Sequence, residues 1–292
     1  MTDEKNANRT AVALGNFDGI HIGHMAVLDA AKSFKRDGLV PVAVLFDEHS
    51  LKAITGIAPP MLMTVADRNE FIINSGLSLK TLVFSEIKNF SPEDFVEKIL
   101  VEKLGAGAVC CGYNYRFGKN AAGTAVTLQQ ICNRLGIACK IAKEVDVAGN
   151  AVSSTEIRSL IELGDIEKAN GMLGHKFGFS APVIDGDKRG RTLGFPTVNQ
   201  EIPPELVMPK FGVYRSDVIV DGRHYAGVTN IGKRPTVGTQ KILSETHILD
   251  FNENVYGKNI DIRLVKFIRS EKKFSSFDEL ARQIESDTKE VR

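Results

Sequence analysis

The decapeptide Gly15–His24, GNFDGIHIGH, joins an apolar run, Thr10–Phe17, to a segment with helical spacing, His24–Phe34. This order predicts a strand, a tight glycine-containing loop and a helix. In an open α/β sheet, ligands bind at the carboxyl ends of the strands, where such a loop lies. Glycines let backbone amides approach a phosphate, and the helix N-terminus adds partial positive charge. The stretch therefore predicts an anion site.

Two histidines three residues apart, His21 and His24, are placed to face that anion. Histidine donates hydrogen bonds and can become cationic near neutral pH, which suits the charge on a transferring phosphoryl group. The alternative is a tight turn with solvent-exposed histidines. The stretch is not a P-loop, because it lacks Gly-Lys-Ser/Thr, nor a dinucleotide fingerprint, because it lacks GxGxxG.

The alternation of strands and helices continues through the first half of the chain. Further strands are predicted at Leu39–Phe46, Leu79–Ser85, Ala108–Gly112 and Ile137–Val145, and helices near Ala66–Asn74, from Ser91 to Gly105, at Thr124–Leu135 and at Ser154–Leu163. Ser91 and Pro92, followed by two acids, form a strong helix start. Five strands separated by helix-length segments predict an α/β domain with a parallel sheet covered on both faces.

After about Gly174 the pattern changes to short alternating segments with frequent Gly and Pro. Strands are predicted at Gly212–Val220, Arg223–Val228, Ile242–Phe251 and Ile260–Ile268, with a hairpin at Asp221-Gly222. A capping box at Ser276-x-x-Glu279 begins a terminal amphipathic helix. We expect a small antiparallel β-barrel with this helix across one opening or face. The predicted domains are residues 1–172 and 173–292.

The composition is that of an ordinary globular protein large enough for two domains. The chain has 292 residues, of which 43% are hydrophobic and 25% charged. A net charge of +1 provides no global field for a polyanion, so we expect no nucleic-acid partner and only local phosphate recognition. The polar start of the sequence and the short apolar runs predict no signal peptide and no membrane span. Four cysteines without a CxxC pair indicate a reducing cytoplasm.

Three segments of the first half resemble one enzyme family. Gly15–His24 resembles the signature of the HxGH nucleotidyltransferases, specifically the Rossmann-like adenylyltransferase domain of bacterial bifunctional riboflavin kinase/FAD synthetases. Gly112–Gly123 is similar to the family's G-x-D/N-F-x-F-G loop, with Asn114 at the polar position and Tyr115 replacing Phe. Ser153–Arg158, SSTEIR, is similar to the SSTxIR motif.

The resemblance implies that the phosphate of FMN attacks the α-phosphorus of ATP and releases pyrophosphate. It implies catalysis by positioning and charge stabilisation from His21, His24, Arg158 and a magnesium ion. The implied ATP-binding residues are Asn16, Phe17, Asp18, Gly19, Gly23, Ser154 and Thr155, and the implied flavin-binding residues are Asn114 and Arg116.

One motif departs from the family pattern. Where the family commonly has F-x-P-H-P, residues Phe46–Ser50 read FDEHS, which keeps His49, loses both prolines and adds the carboxylate of Glu48. A riboflavin kinase with a weak or lost adenylyltransferase site therefore remains an alternative.

The second half carries a basic loop, Gly186–Arg191, followed by GFPTVN at Gly194–Asn199. The loop suits a triphosphate or a solvated hairpin tip equally. GFPTVN resembles the riboflavin kinase motif G-[FI]-P-T-A-N, with Val198 in place of Ala. The resemblance implies that Thr197 and Asn199 coordinate Mg²⁺ with ATP, and that the ATP-binding residues also include Gly186, Lys188, Gly190 and Arg191.

Glu245 is the candidate general base. Alternation places it with Leu243, Leu249 and Phe251 on what we predict to be the barrel-facing side, where a lone carboxylate is costly. Partly buried carboxylates are frequent at functional sites, although a Glu paired with Lys or Arg is the structural alternative. The resemblance to the kinases' ExxxxDF pattern implies that Glu245 activates the ribityl 5′-hydroxyl of riboflavin.

Two further segments of the second half extend the resemblance. Val228–Thr236 is similar to the family's NIGxRPT segment and Arg269–Phe274 to its final-strand exit, which implies flavin binding by Asn230 and Arg269. A core histidine with satisfied hydrogen bonds is the favoured interpretation of His247, and a second polar neighbour of Glu245 is the alternative.

The leading hypothesis is a two-site enzyme that converts riboflavin to FMN and FMN to FAD with ATP and Mg²⁺. Besides the kinase-only alternative, a flavin-binding regulatory protein and a nucleotidyltransferase acting on another phosphorylated substrate remain open. Flavins are substrates and products here, and the oligomeric state is left open.

Overall fold

A computed structural model describes residues 9–47, 56–186, 194–236 and 239–291. Contacts divide the chain into two compact units. Met1–Pro59 and Val65–Ser154 form the first, which we call the α/β unit, and Pro60–Thr64 and Thr155–Arg292 form the second, the barrel unit.

The described part of the α/β unit is built on a five-stranded parallel sheet in the order β3-β2-β1-β4-β7. Its strands are β1 (Thr10–Leu14), β2 (Val40–Phe46), β3 (Ser78–Leu82), β4 (Ala106–Gly112) and β7 (Ala138–Ala142). Two small hairpins pair β5 (Arg116–Phe117) with β6 (Gly123–Thr124), and β8 (Asp146–Val147) with β9 (Asn150–Ala151). The predicted parallel sheet is confirmed.

The helices of this unit are α1 (Ile22–Ser33), α2 (Val65–Asn74), α3 (Phe84–Ile87), α4 (Pro92–Asp94, continued as a wider helix over Phe95–Lys103) and α5 (Ala125–Arg134). Short 3₁₀ turns cover Asp18–Ile20, Phe34–Asp37 and Lys119–Ala121. Ser91 accepts the backbone N–H of Asp94 and caps α4, as the sequence predicts. Strand β1 is central, and Ala11 to Leu14 are at most 2% exposed because both of its faces are covered.

The barrel unit contains a six-stranded antiparallel sheet in the order β10-β15-β12-β13-β14-β11. Its strands are β10 (Gly178–Pro182), β11 (Val198–Glu201), β12 (Gly212–Val220), β13 (Arg223–Thr236), β14 (Thr239–Ile248) and β15 (Asn259–Arg269). Just beyond β10, the N–H of Ile184 donates to the carbonyl of Asn199 at 2.8 Å, so the sheet nearly closes into the predicted barrel. Helices α6 (Ser154–Leu163), α7 (Ile166–Leu173) and α8 (Phe277–Val291) complete the described part.

The sequence pattern misses β10 and β11 and assigns the wrong face of β14 to the interior. The fully buried face carries Ser244, Thr246 and Ile248, opposite to Glu245. The hydroxyl of Thr229 lies 2.7 Å from that of Ser216 and 2.9 Å from that of Thr246. Because these hydroxyls bond one another, polar side chains fill the interior at little cost, and the predicted barrel-facing side is wrong.

The terminal helix packs on a face of the sheet, as predicted. Its Val291 is 1% exposed and joins an apolar cluster with Val213, Val228 and Leu249. This cluster lies on the same sheet face as Glu245, because paired residues of neighbouring strands share a face.

A substitution at Gly178 tests the pairing of β10 with β15, which completes the barrel. A Cβ at this position of β10 would overlap the backbone carbonyl of Ile262 on β15. We therefore expect Gly178→Ala to lower the free energy of unfolding of the barrel unit by about 1–3 kcal/mol, the usual cost of overpacking.

The matched control is Gly171→Ala, in α7 of the same unit, where nothing lies within 4 Å of an added Cβ. Alanine there should raise stability by up to about 1 kcal/mol through helix propensity. Urea denaturation followed by hydrogen exchange of barrel peptides measures both variants. Equal stability of the two would contradict the close approach of β10 to β15.

Candidate nucleotide and flavin sites

The candidate nucleotide site of the α/β unit lies at a reversal in strand order. Strand β1 pairs with β2 on one side and with β4 on the other, with Leu14 opposite Cys111 at the ends of β1 and β4. Because parallel strands end at the same edge, the loop after β1 and the loop after β4, which carries Asn114, leave from adjacent positions. This is the switch point at which open α/β sheets bind ligands.

The turn after β1 is held in an unusual backbone conformation by buried side chains. Phe17, Gly19 and Ile20 have φ values of 51°, 76° and 39°, in the left-handed region. Phe17 and Ile20 are both 0% exposed, and their burial, worth about 2–3 kcal/mol each, offsets a strain of about 1–3 kcal/mol each. A Cβ at Gly15 would lie 3.2 Å from the Phe17 ring. Phe17 is therefore a buried anchor of the turn.

The two histidines form a stacked pair at the start of α1. Their ring centroids lie 3.6 Å apart with planes at 14°. The Nδ1 of His21 accepts the backbone N–H of His24 at 3.2 Å and caps the helix, which leaves the proton of a neutral His21 ring on Nε2. A Cβ at Gly23 would lie 3.2 Å from the His21 ring. The spacing of HxGH therefore encodes an oriented hydrogen-bond donor.

Both histidines are neutral at pH 7. Burial lowers the pKa of His21 from 6.5 to about 4. Burial and the neighbouring charge of a protonated His21 lower the pKa of His24 well below 6.5. The expectation that they readily become cationic is thus wrong for the free protein, because two stacked and buried imidazoles resist protonation.

Further residues of this unit meet the turn. The carbonyl of the buried Asp18 accepts the hydroxyl proton of Ser154 at 3.1 Å, which links the SSTEIR motif to the turn. Arg68 of α2, which no sequence motif indicates, donates from Nη1 to the carbonyl of Asn16 at 3.5 Å. Asn114 and Arg116 are exposed at the same end of the sheet.

The remaining predicted residues of the first half are placed as follows. Thr155 and Arg158 lie on α6 in the barrel unit, and the Arg158 Nε donates to the carbonyl of Pro60 at 2.6 Å. Of the FDEHS stretch, the carboxylate of Asp47 accepts the N–H of Phe84 at 2.9 Å. Glu48, His49 and Ser50 lie outside the described residues.

Four predicted residues of the barrel unit lie in one row across the sheet. In the strand register Asn199 is opposite Glu245, Glu245 is opposite Asn230, Asn230 is opposite Val213, and Val213 is opposite Arg269. Directly opposed residues of a regular ladder share a face and stand about 4.5–5.5 Å apart, which applies to Asn199, Glu245 and Asn230, whereas a register shift adjoins the Val213–Arg269 pair. The register therefore places the candidate base between two asparagine side chains.

Asn199 lies at the buried end of this row. Its side chain is 6% exposed, and a Cβ on Gly186 would overlap its carboxamide. Glycine at 186 thus lets the loop backbone approach Asn199. Lys188, Gly190 and Arg191, predicted to bind ATP, lie outside the described residues.

Thr197 lines a cavity of about 350 Å³, within the range of small-ligand sites. The walls of the cavity are mostly apolar. They include Val183, Pro196, Val198, Ile248, Phe251 and Tyr256. His247 donates from Nδ1 to the carbonyl of Pro196 at 2.9 Å and packs edge-on against Phe195. His247 has the expected hydrogen-bond partner, but it is only partly buried and is therefore not a core residue; it holds the GFPTVN segment at the cavity.

Arg269 is held by the terminal helix. Its Nε donates to the carboxylate of Asp287 at 3.0 Å and its Nη2 at 2.7 Å, while Nη1 donates to the carbonyl of Ser270. Asp287 is 3% exposed. A flavin contact by Arg269 would therefore use the remaining N–H groups of an oriented guanidinium.

The side-chain oxygens of Thr197 and Asn199 are of the kind that binds Mg²⁺. No group of three or more His, Cys, Asp or Glu side chains that could hold a metal occurs in the described ranges. A hydroxyl and a carboxamide oxygen are hard ligands, and Mg²⁺ takes few protein ligands because it keeps water and phosphate oxygens. The Gly186 backbone packed on Asn199 fixes one of these donors in place.

Comparison with known proteins agrees with this division of sites. The FAD synthetase family model matches residues 3–156, and the riboflavin kinase family model matches residues 173–292. A bifunctional riboflavin kinase/FMN adenylyltransferase of Listeria monocytogenes is 34% identical over 100% of this chain and 94% of its own length. The chain belongs to this bifunctional family. The Bacillus subtilis relative of the same name is 33% identical over 97% of this chain and 92% of its own length.

A solved structure matches the fold along nearly the whole chain. The crystal structure of a protein named macrolide-efflux protein, from Streptococcus pneumoniae, has a TM-score of 0.88 and 29% identity, covering 98% of this chain and 94% of that one. Among the residues that our structure describes, no helix has the length and apolar character to cross a bilayer.

The neutral histidines predict a pH dependence of stability. The pKa of His21 is about 4 in the folded chain against 6.5 for an ordinary histidine, so the unfolded chain binds more protons between these values. The free energy of unfolding of the α/β unit should therefore fall as pH drops from about 6.5 to 4, by on the order of 3 kcal/mol from His21, with no such effect above pH 7.

The variant His21→Asn keeps a capping side chain but cannot be protonated, so its stability should depend less on pH in this range. His224→Asn is the matched control, since His224 is an exposed partner of Asp217 in the barrel unit. Urea denaturation with hydrogen exchange of β1 and α1 peptides at several pH values measures the effect. An unchanged pH slope in His21→Asn would argue against a neutral buried ring.

Proposed function

We propose that the barrel unit phosphorylates riboflavin with ATP, giving FMN and ADP, and that the α/β unit adenylylates FMN with a second ATP, giving FAD and pyrophosphate. Membership of the bifunctional family supports both reactions. The single observation that carries the proposal is the row in which Glu245 stands between Asn199 and Asn230, because it joins a candidate base to the predicted Mg-ATP and flavin residues.

In the kinase reaction, Glu245 accepts the proton of the ribityl 5′-hydroxyl while that oxygen attacks the γ-phosphorus of ATP. Asn230, its neighbour on β13, orients the flavin, and Asn199 orients the nucleotide on the β11 side. Thr197 and Asn199 would hold Mg²⁺, which neutralises charge on the phosphate oxygens when bound. The cavity beside Thr197 receives the apolar part of the nucleotide.

In the adenylyltransferase reaction, no protein nucleophile is needed, because a phosphate oxygen of FMN attacks the α-phosphorus directly. The Nε2–H of His21 donates to the oxygen on which charge develops, and the N-terminus of α1 adds its partial positive charge. Asn114 and Arg116, after the neighbouring strand β4, contact the flavin phosphate or ATP. Ser154 supports the turn through its hydrogen bond to the carbonyl of Asp18.

The proposal includes the setting of the enzyme. We take the domains to be residues 1–172 and 173–292, Mg-ATP and flavins as the only ligands, no nucleic-acid or membrane partner, and the cytoplasm as the location. Four cysteines without a CxxC pair favour a reducing compartment. Burial raises the pKa of Cys110 and Cys111 to about 12, so these thiols are inert.

A two-variant experiment tests both activities at once. The purified chain is incubated with Mg-ATP and either riboflavin or FMN, and the flavins are resolved by chromatography. Glu245→Gln should lower FMN formation from riboflavin about 10²- to 10⁴-fold, because the amide cannot accept the proton, and leave FAD formation from FMN unchanged. His21→Asn should lower FAD formation about 10²- to 10³-fold and leave the kinase unchanged.

Each variant is thus the control for the other, and Glu205→Gln, at an exposed turn of the barrel unit, should change neither rate. Undiminished kinase activity in Glu245→Gln would show that another group is the base. No FAD from the unaltered chain at high enzyme concentration would leave the kinase alone, as the FDEHS departure allows.

A further inference from the structure

Arg68 is a half-buried cation beside the turn that precedes α1. It lies on α2, which packs against the 3₁₀ turn Asp18–Ile20. One of its N–H groups reaches the carbonyl of Asn16 at 3.5 Å, the long limit of a hydrogen bond. Its Nε is buried without a hydrogen-bond partner among the described residues. The guanidinium therefore has donors to spare at the edge of the candidate nucleotide site.

The buried carboxylate of Asp18 accounts for only part of this arrangement. Burial lowers the pKa of the Arg68 guanidinium and the charge of Asp18 partly restores it. A guanidinium stays charged in proteins, and a charge with an unpaired buried donor is costly to keep. A role limited to holding the turn would be served by full hydrogen bonds to the Asn16 carbonyl, whereas the observed contact is long.

The two histidines do not supply positive charge to the candidate nucleotide site. Because His21 and His24 are neutral at pH 7, they offer hydrogen bonds but no net charge to a triphosphate. The N-terminus of α1 contributes the equivalent of only about half a unit charge. A cation that contacts the turn at Asn16 is well placed to make up this difference.

We propose that Arg68 binds phosphate oxygens of the nucleotide in the adenylyltransferase site. The inference rests on the proposed function for its substrate, ATP, and adds a residue that the sequence motifs do not include. The guanidinium carries further N–H groups on Nη1 and Nη2 beside the one that contacts Asn16, and charged N–H groups of this kind bind phosphate oxygens. The nucleotide thus receives hydrogen bonds from the outer nitrogens of Arg68, while the Nε of the side chain stays buried.

Three variants of the full chain test the proposal. Arg68→Gln keeps a polar side chain without charge, Arg68→Lys keeps the charge without the planar fork, and Arg134→Gln is the matched control. Arg134 is an exposed arginine of the same unit that pairs with Glu97. The readouts are the KM for ATP in FAD formation from FMN, and the calorimetric affinities for Mg-ATP and for adenosine, which has no phosphate.

We expect Arg68→Gln to raise the KM for ATP in FAD formation, and to weaken Mg-ATP binding at the adenylyltransferase site, roughly 10- to 100-fold. Arg68→Lys should give intermediate values. Adenosine binding, the KM for ATP of riboflavin phosphorylation, and all values for Arg134→Gln should stay at the level of the unaltered chain. An unchanged KM and ATP affinity in Arg68→Gln would overturn the proposal. So would an equal loss of ATP and adenosine binding, which indicates a turn that has merely changed shape.

The outcome separates this proposal from the proposed function. Suppose that the unaltered chain makes no FAD while Arg68→Gln still binds Mg-ATP more weakly than the unaltered chain does. In that case the phosphate contact stands and the proposed adenylyltransferase activity fails. If the unaltered chain makes FAD and Arg68→Gln equals it in KM and in ATP binding, the activity stands and the role of Arg68 fails.

Discussion

Backbone hydrogen bonding between strands is the constraint on which both candidate sites depend. In the barrel unit, β14 pairs with β11 on one side and β13 on the other, and this register alone brings Asn199, Glu245 and Asn230 side by side. A slip of one residue would turn Glu245 into the interior and bring Thr246 to the site face. In the α/β unit, the parallel pairing of β1 with β4 aligns two loops that are about a hundred residues apart in sequence.

The register also explains how the terminal helix contacts residues of the barrel site. Val213 lies between Asn230 and Arg269 in the row and packs in one cluster with Val291 of α8. The same helix supplies Asp287, which fixes the Arg269 guanidinium in two hydrogen bonds. A buried carboxylate requires such a paired cation, so the helix and the last strand position each other. The orientation of Arg269 is therefore a property of the folded unit rather than of the β15 sequence.

Much of the architecture could be predicted from local signals. The five parallel strands follow from apolar runs separated by helix-length segments, and the start of α4 follows from the Ser91 cap. The barrel was harder, because β10 and β11 are short and interrupted by Gly and Pro. The face of β14 could not be read at all: both faces carry polar side chains, and only the hydroxyl pairing of Thr229 with Thr246 decides which face is inside.

The residues of the candidate sites also differ in how far local sequence signals predict them. Motifs predict His21 and Glu245 as candidate site residues, although the face of β14 on which the strand argument for Glu245 depends is the wrong one. No motif indicates Arg68, because it lies on α2, some fifty residues beyond Asn16, and no periodicity in α2 marks the contact. The charge state of the histidines is likewise not predictable from the sequence. A sequence shows the residue type, but the pKa depends on burial and stacking that only the fold creates.

The strained turn links the stability of the α/β unit to its chemistry. Phe17 and Ile20 adopt left-handed conformations only because the core takes up their side chains completely. Their burial fixes the path of the chain into α1, and that path stacks His21 on His24 and leaves the Nε2–H of His21 as a donor. A donor held in advance of the reaction costs no reorganisation when charge develops on a phosphoryl group. In the proposed adenylyltransferase reaction, neutral donors would act on the transition state through their orientation, while attraction for the triphosphate would come from fixed cations and the helix N-terminus. The proposal thus assigns orientation and attraction to different residues, so that a variant should weaken one while leaving the other intact.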